Sequence, residues 1–127
     1  MFNFTHPYFG NIIGRLLVWA YSGKFQYFTA FSELSHKVAP VYKVKRLFPF
    51  WMNIIGQSHG EYIFIHEDYW DTAKGKRTIP HEYVHVWQSR TLGWWGLKFI
   101  VKYIWYLIRY GYEKNPFEVE AVNKSGF

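Results

Sequence analysis

The 127-residue sequence contains no cysteine. Structural disulfides, iron–sulfur clusters and thiolate-held zinc are thereby excluded, and any bound metal has to rest on His, Asp, Glu or backbone oxygen. Acidic residues are few: 9 Asp and Glu stand against 15 Lys and Arg, a formal charge of +6. That balance permits attraction to nucleic acid or to an anionic membrane surface without requiring either. The cations are dispersed, as at Arg15, Lys43, Lys74 and Lys98. No helix-turn-helix or RNA-reading aromatic signature accompanies them, which argues against nucleic acid as a partner.

Long uncharged apolar runs are also lacking. Trp94 to Tyr110 is apolar but carries Lys98, Lys102 and Arg109, whereas a spanning helix needs about 20 mostly uncharged residues. Asn11–Ala20 is broken by Gly14 and Arg15 and has no basic lead segment, so it does not read as a signal peptide. Location is left open between cytoplasm and a virion. With no repeat, low-complexity tract or Gly/Ser linker, the chain reads as one domain over residues 1–127.

What the sequence has in abundance is aromatic rings: 7 Trp, 11 Tyr and 12 Phe. A domain of this size cannot enclose them all. Some are expected on the surface as a contact patch for a protein, a lipid headgroup layer or an extended substrate.

Asn11–Ser22, between Gly10 and Gly23, predicts a helix. Val41–Leu47 alternates enough for a short strand or an extended edge segment, with Pro40 and Pro49 as breaks around it. Glu61–His66 (EYIFIH) has the β-branched and aromatic character of a strand. Asp71–Arg77 reads as a loop. Thr78 then suits an N-cap, with Pro80 in the first turn of a helix that Gly93 ends near Leu92. A second helix, Trp94 to Tyr110, follows after almost no linker, as in an antiparallel hairpin. Its arc of Phe99, Ile100, Tyr103, Ile104, Leu107 and Ile108 is expected to face the core, opposite Lys98, Lys102 and Arg109. Asn115-Pro116 caps a short third helix carrying Glu118 and Glu120.

His81-Glu82-Tyr83-Val84-His85 has the form HExxH. On a helix the two imidazoles lie one turn apart on one face, where both can meet one metal ion, and Glu82 is offset to approach a bound water. From the composition of this chain, chance would supply roughly 0.015 such motifs. A catalytic zinc takes three protein ligands, so one more is required. No histidine follows His85, and the only later acids are Glu113, Glu118 and Glu120. Folding the third helix back across the site brings Glu118 or Glu120 to the histidines.

The pairing of His81–Gln88 (HEYVHVWQ) with Asn115–Ala121 (NPFEVEA) resembles the gluzincin zinc metallopeptidases, and more closely a group of small bacterial and phage proteins that join HExxHxxQ to NPFExEA. The resemblance covers Ile79 to Ala121. It implies a small α+β, zincin-like domain with a few short strands, a helix hairpin and a short C-terminal helix. It further implies Zn2+ held by His81, His85 and Glu118, with Glu120 as the second candidate. Glu82 would be the general base of a peptidase or amide hydrolase, acting on a peptide or protein substrate laid along an edge strand, for which Glu61–His66 is the candidate. Tyr112 or His59 could assist at the oxyanion. The sequence departs from the gluzincin pattern at Val122, where an Asp usually orients a ligating histidine. The alternative function is a non-catalytic structural or interaction subunit of a larger assembly, such as a phage particle, in which zinc staples the helices. A third reading gives the basic, aromatic helix a peripheral membrane contact.

Overall fold

In the computed structural model, residues 9–48, 53–92 and 97–127 are described. They form α1 (Phe9–Ala20), β1 (Lys24–Thr29), β2 (Ala39–Val44), β3 (Gly56–His59), β4 (Tyr62–His66), a single 3-10 turn at Glu67–Tyr69, α2 (Ala73–Leu92), α3 (Leu97–Tyr110) and α4 (Pro116–Ser125). This is the α+β class expected from the sequence. The four strands make one mixed sheet in the order β1-β2-β4-β3. β1 and β2 are antiparallel, β2 and β4 parallel, and β3 and β4 an antiparallel hairpin turned at Gly60, whose φ of 63° suits a residue without Cβ.

Strand alternation assigns the two faces of the sheet. Val41, Ile63 and Ile65 face one way and pack with Ile79, Tyr83 and Val86 of α2. Val44, Tyr62 and Phe64 face the other way and pack with Tyr21 and with Leu17 and Val18 of α1. The sheet is therefore covered on both faces, which is why Tyr62–Ile65 is continuously apolar and buried. Between α1 and the sheet, Gly14 is required by contact: an added Cβ would stand 2.9 Å from the Tyr62 ring and 3.1 Å from the His59 carbonyl oxygen.

Four expectations are corrected here. Glu61–His66 is an interior strand, because β4 pairs on both sides; β3 takes the edge beyond it. The strand around Val41 is likewise interior and begins earlier, at Ala39, with Pro40 inside it. Pro40 is tolerated because it pairs only with Phe28 of β1, before the β4 ladder begins at Val41. Asp71–Arg77 is not all loop, since α2 starts at Ala73 and Pro80 falls inside the helix rather than in its first turn. The glycine that suggested a loop, Gly75, sits in the helix where the chain presses on Tyr69: a Cβ there would meet the Tyr69 carbonyl oxygen at 1.9 Å.

The fourth correction concerns α3. None of its residues is buried, and Ile104, Leu107 and Ile108, expected in the core, are exposed. Its aromatic side, Phe99, Tyr103 and Tyr106, packs inward against Phe117 of α4, and Ile100 is half-buried beside it. The expected turn at Gly93, the first residues of the helix predicted from Trp94, and Pro49 lie outside the described residues.

Candidate metal centre

α2 is buried on two sides. Ile79, Tyr83 and Val86 point to the sheet, and His81, His85 and Gln88 point to α4. The start of α4 is fixed by Asn115, fully buried, whose side chain accepts a hydrogen bond from the Phe117 N–H at 3.0 Å and donates to the Tyr103 carbonyl at 3.3 Å. Pro116 follows at the first helical position, where its missing N–H costs nothing. This cap joins α4 to α3 and directs Glu118, one turn on, at the histidines.

Glu118 Oε1 lies 2.9 Å from His81 Nε2 and 3.1 Å from His85 Nε2. The three residues are buried, and their ligand atoms all fall within 4.8 Å of one another. In a tetrahedral zinc site with bonds of about 2.0–2.2 Å, neighbouring donors stand roughly 3.3–3.5 Å apart. Glu118 Oε1 is already near that spacing from each imidazole nitrogen, and the three donors could hold a divalent cation with a slight opening of the set. Glu120 is not part of it; its carboxylate accepts from Gln88 Nε2 at 2.9 Å.

The surrounding residues orient these donors. Gln88 Oε1 stands 2.8 Å from His85 Nδ1, which places a proton on Nδ1 and leaves Nε2 for the centre. The Gln88 amide also donates to the Phe117 carbonyl at 3.0 Å. One side chain thus ties HExxHxxQ to NPFExEA, and it supplies the support that Val122, exposed on α4, does not. Tyr103 donates its hydroxyl to Glu118 Oε2 at 2.5 Å. His81 Nδ1 is buried and has no hydrogen-bond partner among the described residues. Gln88→Leu is expected to weaken zinc binding by roughly 10–100-fold, read by competition with a chromophoric chelator.

Glu82 is buried beside the centre, where it feels both histidines, Glu118 and the Ser58 side chain of β3. Burial raises its pKa, which the histidines and Ser58 offset only in part. Burial alone would lower the pKa of His85, but its hydrogen bond to Glu118 and the charges of Glu82 and Glu118 raise it to about 9. For Glu118 itself, burial works upward and is overcome by hydrogen bonds from His81, His85 and Tyr103, so the carboxylate is held below its ordinary range.

These shifts set a pH dependence for the ion-free protein. The stabilisation from His85 is fully present below its unfolded value of 6.5 and is lost as pH rises through about 9. That from Glu118 is present above its unfolded value of 4.5 and is lost on acidification. A cation displaces the His85 proton, so the rise in melting temperature on adding zinc should grow between pH 6.5 and about 9. Parallel melting curves with and without zinc across that window would refute the assignment.

Of the residues the sequence singled out, His81, His85, Glu118 and Glu82 come together. His59 lines a cavity of about 30 Å³ that reaches His85 between β3, α2 and α3, and burial lowers its pKa to about 4. Sequence reasoning missed Tyr103, which it placed in a core arc, and Ser58, which carries no local signal. Gln88 was legible only through its place in HExxHxxQ. No family model matches the chain, and no curated protein or solved structure matches it.

Proposed function

We propose that the protein is a zinc-dependent peptidase or amide hydrolase, with His81, His85 and Glu118 holding the ion and Glu82 as general base. The observation that carries this reading is the Glu118 carboxylate, brought from a separate helix to lie between two imidazoles one turn apart on α2. A divalent ion in such a site polarises a carbonyl and lowers the pKa of water.

The chain's own residues supply the rest. Glu82, with its pKa raised by burial, is a better proton acceptor than an exposed glutamate and can return the proton to the leaving amine. Tyr103 occupies Glu118 Oε2, which leaves Oε1 to face the histidines. β3, the edge strand beside α2 that also carries Ser58, is the edge along which an extended peptide would align.

The burial of all three donors favours a second reading, a structural ion that staples α2 to α4. Glu82 weighs against it. A buried carboxylate that no Lys or Arg pairs with among the described residues is destabilising, and a purely structural site has no use for one.

The test is reconstitution of metal-free protein with zinc, and separately with iron, manganese and nickel, followed by metal analysis and assay on a peptide library. About one zinc per chain is expected, with cleavage abolished by chelation and restored by zinc. Folded protein that takes up no metal would overturn the site. Zinc uptake with melting stabilisation but no cleavage of any peptide would assign the structural reading.

A further inference from the structure

α3 is fastened to the domain by one side only. Going round the helix at about 100° per residue, Phe99, Tyr103 and Tyr106 point inward, and the opposite side exposes Leu97, Val101, Ile104 and Ile108, the last 76 % exposed. Next round the circumference comes Trp105, more than half exposed, and after it Lys98, Lys102 and Arg109. α1 exposes a second apolar row, Ile12, Leu16 and Trp19, the last 84 % exposed. The two helices approach one another at the cavity lined by Ile13, Phe99 and Ile100. Neither α1 nor α3 contains an acidic residue.

We infer that α1 and α3 form a docking surface for an anionic lipid bilayer, with α3 lying in the plane of the headgroups. The order around α3, aliphatic then Trp then Lys and Arg, follows the layers of a bilayer from acyl chains through interface to phosphate. The helix lies on the surface rather than crossing it. At 14 residues it is about 21 Å long, short of the roughly 30 Å hydrocarbon core, and no helix among the described residues is long and apolar enough to span. A two-fold contact of this patch with itself would set cations against cations with no acid to answer them.

Phe99 and Tyr103 of the same helix pack on His85. Docking therefore holds the metal centre roughly one helix diameter, about 10 Å, from the headgroups. Binding itself does not rest on the hydrolase reading.

The experiment is flotation of the full chain with phosphatidylcholine vesicles, with and without roughly 30 % phosphatidylglycerol, at low salt and at about 0.5 M salt. Variants are V101E/I108E and K102Q/R109Q, whose side chains lie outside the metal centre. The wild type is expected to float with anionic vesicles, at least about tenfold more than with neutral ones and more strongly at low salt. Each double variant is expected to lose roughly tenfold or more of that partition while keeping its circular dichroism and zinc content. Absence of flotation, or undiminished flotation by V101E/I108E, would overturn the inference. So would capture by polyglutamate without vesicle binding, which would assign an acidic protein partner. A dimer abolished by V101E/I108E, again without vesicle binding, would assign a second copy.

Discussion

Glu82→Gln is expected to lower hydrolysis by roughly 10²–10⁴-fold while the protein keeps its zinc. Glutamine has the same shape, but it cannot accept the proton. Glu82 is not one of the three converging donors, so metal content should stay at the wild-type level. Burial and the nearby Glu118 charge raise the Glu82 pKa, and the neutral amide removes that strain. The variant should therefore be no less stable than the wild type, which separates a lost proton acceptor from a damaged fold. Steady-state kinetics on a cleaved peptide, with metal analysis of the same sample, make the check. Unchanged kcat in a zinc-loaded Glu82→Gln protein would remove Glu82 from the mechanism.

Glu118→Ala should have the largest effect on both metal and fold. It deletes the third donor, so zinc affinity should fall by more than the roughly 100-fold that a change outside the ligand set can cost. It also leaves His81 Nε2, His85 Nε2 and the Tyr103 hydroxyl facing a void where each now meets the carboxylate. Breaking a buried ionic contact on one side costs about 3–5 kcal/mol, enough to threaten a domain of ordinary stability. Glu118→Gln keeps the shape and an oxygen for Tyr103, so it should remain folded while still losing tight zinc binding. Denaturant unfolding and chelator competition on the two variants distinguish ligation from packing. Full zinc affinity in folded Glu118→Gln would exclude this carboxylate as a ligand.

The centre was legible in the sequence to the extent that its spacing is local. His81 and His85 share a face because any helix puts residues four apart on one side, and Asn115-Pro116 announces the start of α4 because capping chemistry acts within one turn. Glu118 and Glu120 could not be separated by that reasoning alone; which of them turns inward depends on how α4 lies across α2. The start of α2 was misread because glycine and proline signal breaks only on average. Here Gly75 serves a close approach to Tyr69, a residue outside the helix, and Pro80 is carried by a helix buried against the sheet.

The residues read in order exclude cysteine from any donor set, put His81 and His85 at a helical spacing that permits one cation, and assign the classes of the main elements. These follow from residue chemistry and from contacts between near neighbours in the chain. The packing of the folded chain alone puts β3 rather than β4 at the edge, sets Gln88 against His85 and Tyr103 against Glu118, and turns the aliphatic side of α3 outward. Those outcomes depend on which distant stretches meet, β2 with β4 at 22 residues' separation, α3 with α4 at 15 and α2 with α4 at 29, and an amphipathic pattern fixes which side of a helix is apolar without fixing what covers it.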